Sequence, residues 1–337
     1  MSDAKTLTIE NWIDRVATIL ASNKTDPEVA TQVATALVLA ERDGQAGHGL
    51  SRVASYAAQA KSGKVMGFVK PSLERVKTGA ARIDAKHGFA YPALNMACDW
   101  LIETSKATGI ACAGVYNSHH AGQAGQQVER LAEAGLVSLM FANSPSAIAP
   151  WGGKRALFGT NPVAFGAPRT NGDPLVIDMS LAKVARGKIM AAAKEDRSIP
   201  LGWALDADGK ETTDAKAALK GLSLPMGDAK GYPLVLMVEI LAAALVGACF
   251  GFEASSFFEG EGNPPSVGQL IIAIDPNSMS GGDFAQRVEE LLMAIEEQEG
   301  ARLPGASRLT SRKLVAENGL SPTQAIRDEL DRLESNS

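Results

Sequence analysis

A strand, a turn, a helix and a second strand follow one another within residues 110–141, and that order limits the chain to folds containing an α/β layer. Residues 110–116, with Cys112, Val115 and small residues between them, read as a buried strand. Asn117-Ser118-His119-His120-Ala121-Gly122 reads as a turn, residues 122–134 as a helix, and Leu136-Val137-Ser138-Leu139-Met140-Phe141 as another buried strand. The region before this unit is helical. Ile9, Trp12, Ile13, Val16, Ile19 and Leu20 recur at helical spacing, and Asp26-Pro27 is an N-cap followed by proline in the first turn of a second helix running to Arg42. A third helix is expected to carry His48 and Arg52 and to end near Ser62-Gly63.

Further strands are expected at residues 73–76, 81–84, 163–165, 175–177 and 268–274, with helices at 91–108, 183–194 and 284–297 and two polar helices closing the chain. A glycine- and proline-rich loop system at residues 145–168 suits a site or a tight junction. Residues 232–252 are nearly all apolar, but Glu239 interrupts them, so a fully buried helix is expected rather than a membrane span. Residues 1–10 lack the apolar core of a signal peptide, and the three scattered cysteines suit a reducing compartment, so a cytoplasmic protein is expected. With net charge −5 and no basic block, neither nucleic acid nor membrane is an expected partner.

The segment Asp43-Gly44-Gln45-Ala46-Gly47-His48-Gly49-Leu50-Ser51-Arg52 carries the sharpest chemistry. On a helix, His48 and Arg52 share one face a turn apart. The imidazole can pass a proton and the guanidinium can grip a carboxylate with two parallel bonds. The same pair also fits a surface histidine beside a solvated arginine. Neither the dinucleotide fingerprint after a strand nor the P-loop motif occurs. Two glycine turns could hold a pyrophosphate on free amides at a helix start: His120-Ala121-Gly122-Gln123-Ala124, and Gly227-Asp228-Ala229-Lys230-Gly231. His119-His120 invites a metal, but adjacent side chains on a turning backbone diverge and no partner ligands accompany them, so none is expected. No G-x-S-x-G elbow supports a serine hydrolase. Asp178, at a strand end, reads as a helix cap or a cofactor contact.

Taken in order, several runs resemble the malate/L-lactate dehydrogenase family of NAD(P)-dependent oxidoreductases, which includes sulfolactate, ureidoglycolate, diketogulonate and Δ1-piperideine-2-carboxylate enzymes. The runs are residues 43–52, 117–125, Ala149-Pro150-Trp151-Gly152-Gly153 through Gly159-Thr160-Asn161-Pro162, Ile177-Asp178-Met179-Ser180 through Ala185-Arg186-Gly187-Lys188-Ile189, Lys230-Gly231-Tyr232 and Arg302-Leu303-Pro304-Gly305. The resemblance implies a sulfolactate dehydrogenase-like α/β fold: a non-Rossmann NAD(P)-binding domain at 117–299, and a helical domain for substrate and dimerisation from residues 1–116 plus 300–337. It implies a homodimer with the active site between domains. It implies His48 as the proton donor, Arg52 and Thr160 as substrate contacts, and an NAD or NADP site lined by His120, Ala121, Gly122, Gln123, Ala124, Asp178, Met179, Ser180, Ala229, Lys230, Leu303, Pro304, Gly305 and Arg308.

The chain departs from the family at Gly47, where many members carry serine, at Ala121, where phenylalanine is frequent, and at Ala306, where glutamate is frequent. Lys188 stands where the cyclic-imine reductases carry aspartate. The expected activity is hydride transfer between nicotinamide and a small 2-oxo or 2-hydroxy carboxylate. The alternatives are reduction of a cyclic imino acid (Δ1-piperideine- or Δ1-pyrroline-2-carboxylate) and a catalytically silent ligand-binding homologue.

Overall fold

A computed structural model of the chain describes residues 7–335, so most of the 1–10 segment read above for a leader lies outside the described residues. Thr8 accepts the Asn11 amide to open α1 (Ile9–Ser22). Asp26 accepts the Glu28 and Val29 amides to open α2 (Pro27–Arg42). Both helices share a core with α3 (Val53–Ser62), and that core takes in Leu320 and Leu330 from the far end of the chain.

The chain continues through β1 (Ser72–Lys77), β2 (Ala80–Asp84), α4 (Ala90–Thr108), β3 (Ile110–Ser118), α5 (Gly125–Glu133), β4 (Val137–Ala142), β5 (Val163–Ala167) and β6 (Leu175–Met179). A small lobe follows, with α6 (Arg186–Lys194), β7 (Ala204–Leu205), α7 (Ala215–Lys220) and β8 (Leu222–Ser223) around Ile189, Ile199 and Ala218. Then come α8 (Tyr232–Glu239), β9 (Val267–Ile274), α9 (Asn277–Ser280), α10 (Phe284–Glu296), α11 (Ala306–Asn318) and α12 (Gln324–Ser335).

The main sheet has seven strands in the order β1-β2-β3-β9-β4-β5-β6. β9 pairs antiparallel with both β3 and β4, which therefore run parallel with β9 between them. Alternation along the strands splits the side chains between two layers. Val115, Met140 and Ile271 meet α4 and α5 on one face; Phe141 and Leu270 meet α8 on the other. A division between residues 116 and 117 falls within β3, whose two neighbours β2 and β9 lie on either side of that division in sequence.

Two expectations are corrected. First, the run at 232–252 is not one fully buried helix. α8 passes into a π-helical turn at Ile240–Ala244 and then into tight turns. Val235, Val238 and Ala242 face the sheet, while Leu234, Met237, Ile240 and Leu245 stay exposed. A helix lying on a sheet buries only the stripe that touches it. Glu239, inside the stripe, is buried but satisfied by Asn143, Asn161 and the Gly251 amide. Among the described residues no helix is long and apolar enough to cross a membrane.

Second, His48 and Arg52 do not lie on one continuous helix. They end two successive 3-10 turns, Ala46–His48 and Leu50–Arg52, that precede α3. Gly49 makes the break. It packs against Glu41 so closely that a Cβ there would run into the carboxylate, and Glu41 Oε2 accepts the Leu50 amide at 2.9 Å.

Candidate active site

Three of the four histidines of the chain meet at the junction between the helical layer and the end of β3. His48 comes from the first 3-10 turn; His119 and His120 follow directly after β3. His48 Nδ1 lies 3.2 Å from His120 Nε2, and the rings stack with centroids 5.1 Å apart. His120 Nδ1 lies 2.7 Å from the Tyr56 hydroxyl, which lies 3.3 Å from the Tyr91 hydroxyl. His119 turns to Gln59, 2.8 Å from its Oε1. The adjacent rings therefore do not diverge: both pack against Tyr56 and Phe257. Among the described residues no group of three or more histidine, cysteine or acidic side chains is placed to hold a metal.

Burial, reinforced by the Arg52 charge, pushes His48 down to about 4. Burial, with Lys64 and then Arg52 behind it, pushes His119 to about 3. Burial, Arg52 and the two other histidines hold His120 well below its ordinary value. At neutral pH the rings are uncharged. Burial likewise raises the Tyr56 phenol to about 12 and holds the Tyr91 phenol well above its ordinary value, so both keep their protons.

Arg52 is fixed on two sides. Its Nε donates to the Gly47 carbonyl at 2.7 Å, and its guanidinium lies over the Phe258 ring, 4.4 Å from the centroid. Its Nη1 is buried with no protein partner, a donor waiting for an anion. Phe257 and Phe258 belong to a strap clipped onto the end of α3. Gln59 donates to the Phe257 and Glu259 carbonyls, Ser62 to Gly260, and Lys64 to Ser256 and Glu259.

The turn after His120 leads into a second group. Gly122 has positive φ (+66°) and lies against the Tyr91 hydroxyl. Ala121 is buried, and Gln123 donates to Asp43. The start of α5 following Ala124 is not the free anion site the sequence suggested. Asp178 Oδ2 accepts the Gly125 amide at 2.7 Å, and the Gln126 and Gln127 amides return to Gln123 and Ala124. Asp178 is thus a cap, but for the helix before it. Its neighbour Met179 is exposed. Arg308 reaches Glu129, and its Nε is buried without a partner. Gly305, at φ +82°, brings its backbone against the Val176 carbonyl. Leu303 and Pro304 line a cleft of about 340 Å³ together with Arg169, Leu175, Arg302 and Arg308.

A third group surrounds Thr160, whose amide donates to Ser144 Oγ at 3.1 Å and whose carbonyl accepts from Ser180 and Leu181. Ala229 and Lys230 lie in a 3-10 turn at Asp228–Lys230. The turn is tethered near β6 by the Met226–Leu181 and Lys183–Asp228 contacts. Here too the turn amides of Asp228, Lys230 and Gly231 are taken by nearby carbonyls. Thr160 does not touch the histidines. The loop after α8 spans between them, with Gly251 against Ser144 and Gly159, and Phe257 against His119 and His120.

Sequence reasoning missed Tyr56, Tyr91, Phe258 and the buried ion cluster of Asp43, Arg312 and Glu129. Tyr56 was within reach: it follows Arg52 by four residues, the spacing that drew attention to His48 and Arg52 themselves.

The chain is similar to known proteins over nearly its whole length. A profile described as malate/L-lactate dehydrogenase matches residues 7–331. The chain is 52% identical over 301 residues to (2R)-3-sulfolactate dehydrogenase (NADP(+)) of Chromohalobacter salexigens, covering 89% of this chain and 90% of the relative. It is 39% identical over 330 residues to a Δ1-pyrroline-2-carboxylate/Δ1-piperideine-2-carboxylate reductase of Pseudomonas syringae pv. tomato, covering 98% and 96%. The crystal structure of Δ1-piperideine-2-carboxylate reductase from Pseudomonas syringae superposes with a TM-score of 0.92 at 40% identity, covering 98% of this chain and 100% of that one.

Proposed function

The chain belongs to the malate/L-lactate dehydrogenase family, and on that footing we propose that it is an NAD(P)-dependent oxidoreductase acting between a small 2-oxo and 2-hydroxy carboxylate. The observation that carries the reading is Arg52, a guanidinium stacked on Phe258 with a buried, unpartnered Nη1, beside the neutral imidazole of His48. A carboxylate would complete Arg52, and a carbonyl oxygen attached to the next carbon would then fall to His48. Thr160 is the proposed third substrate contact.

The residues fit a dinucleotide. Arg308 Nε is an orphaned buried donor, and Gly305 provides a left-handed turn pressed on Val176 where a side chain would crowd. Residues 120–124, 178–180, 229–230, 303–305 and 308 are the proposed lining. Bound nicotinamide would supply or accept the hydride. The NADP(+) in the name of the 52%-identical relative favours NADP(H) over NAD(H). His48 gives its proton to the carbonyl oxygen in reduction and takes it back in oxidation.

A second reading, reduction of Δ1-piperideine- or Δ1-pyrroline-2-carboxylate, is supported by the relatives and the solved structure that bear those names. The Arg52 clamp suits a ring imine carboxylate equally. NADPH oxidation with 3-sulfopyruvate, oxaloacetate, pyruvate and the two cyclic imines, assayed side by side, decides between the readings. No turnover of any of them together with no NADPH binding would leave only a silent homologue.

The shared core of α1–α3 with Leu320 and Leu330 supports a helical unit built from both ends of the chain, while the expected division at 116/117 would cut the seven-stranded sheet. The exposed Leu234, Met237, Ile240 and Leu245 support a homodimer, which sedimentation in the analytical ultracentrifuge tests. Three free cysteines support a cytoplasmic location, which fractionation of the native cells tests.

A further inference from the structure

We infer that His120, Tyr56 and Tyr91 form a proton relay that keeps His48 neutral while it gives up its proton, by exchanging protons with the cleft between α2, α4 and α5. This rests on the reading of His48 as the proton donor. The links are His48 Nδ1 to His120 Nε2 at 3.2 Å, His120 Nδ1 to Tyr56 Oη at 2.7 Å, and Tyr56 Oη to Tyr91 Oη at 3.3 Å. Tyr91 also lines a polar cleft of about 390 Å³ whose wall includes Arg42, Asn95, Gln126 and Arg312. Each inner member has one site to accept a proton and one to donate it.

The groups facing the relay argue for a neutral transfer. Arg52 and Lys64 flank it from the two ends of α3, and His119 stands beside it. Phe257 and Phe258 close it from the strap. Glu41, the carboxylate near the His48 turn, is engaged by the Leu50 amide. Among the described residues no carboxylate is hydrogen-bonded to the His48 or His120 ring, so an imidazolium would have positive neighbours and no counter-charge.

The relay needs no imidazolium. In reduction, the His48 Nε2–H bond breaks and that proton joins the substrate oxygen. His48 Nδ1 takes the proton of His120 Nε2, His120 Nδ1 takes the Tyr56 hydroxyl proton, Tyr56 takes that of Tyr91, and Tyr91 takes one from water in the cleft. Every residue ends neutral, both histidines have exchanged tautomers, and one proton has been drawn from solvent. The shifted state, with Nε2 bare, is the one that accepts the hydroxyl proton in oxidation. After product release Nε2 takes a proton from solvent while the relay runs backward and Tyr91 returns one to the cleft, which restores the first state.

The test uses the full-length protein with NADPH and whichever carboxylate the wild type reduces. Single-turnover NADPH oxidation in H2O/D2O mixtures should give a bowed proton inventory in the wild type. Tyr56→Phe and Tyr91→Phe should each slow the step about 10-fold or more, straighten the inventory, and leave the NADPH Kd and Tm close to wild type. Tyr91→Phe probes the far end of the relay, away from the substrate. Wild-type rates in both variants, or slower rates with an unchanged inventory, would overturn the relay. Should no substrate be turned over, the reading of His48 fails separately, and nitrogen-15 NMR of the histidines still decides the relay. A neutral His48 at pH 7 whose tautomer balance moves in Tyr56→Phe supports it; a charged His48, or an unmoved balance, rejects it.

Discussion

Asp178 Oδ2 and the Gly125 amide lie 2.7 Å apart, so a carboxylate at the end of β6 caps a helix that begins fifty-three residues earlier. Replacing Asp178 with Ala should cost about 1–2 kcal/mol, the usual loss for a helix cap. Asn keeps an acceptor and should cost less, as urea unfolding would show. Burial raises this carboxyl above its ordinary value of 3.8. The native state then holds a proton that the unfolded chain has released. Its stabilising share is present below the ordinary value and lost as pH climbs through the raised one. Asp178→Asn should remove that part of the pH dependence; an unchanged slope would show that the carboxyl titrates normally.

His48→Ala should lower kcat by about 10²–10⁴-fold, the range for a lost general acid, with NADPH affinity kept. Near wild-type turnover would reject its role as donor.

Arg52→Lys should raise KM far more than it lowers kcat, because an ammonium cannot make the paired bonds of a guanidinium or stack as well on Phe258. An unchanged KM for the carboxylate substrate would count against the clamp.

Gly122→Ala should destabilise the protein by about 1–3 kcal/mol, since the residue adopts a left-handed φ. The added methyl would also meet the Tyr91 hydroxyl. Thermal unfolding checks the cost.

Arg312 bridges Asp43 and Glu129, both nearly inaccessible. Arg312→Gln removes the cation the two carboxylates share, leaving Asp43 to Arg42 and Glu129 to Arg308, and should cost about 1.5–3 kcal/mol. A loss within experimental error would mean that solvent reaches the cluster.

The α/β layer was legible because strand, turn, helix and strand lie within one short stretch, where hydrophobic period and turn residues act locally. The capped start of α2 was legible for the same reason. The His48–Arg52 helix was not, because the break at Gly49 depends on Glu41, a residue whose position only the packed α2 defines. The engagement of Gly125 by Asp178 and the clipping of the Phe257–Phe258 strap by Gln59 and Lys64 join distant parts of the chain. Neither leaves a periodic trace. Tyr56 left one, at helical spacing from Arg52, but its partner Tyr91 enters from another helix.

The middle strand of the sheet arrives late in the chain. β3 and β4 are separated by β9, whose residues 267–274 come more than a hundred positions after β4 ends. Until those eight residues are made and inserted, two apolar strand edges lie open to water and to other chains. A chain cut short before residue 267 therefore carries two separate three-stranded pieces with open edges, and refolding of the whole chain should be slow, limited by closing a long loop around one strand.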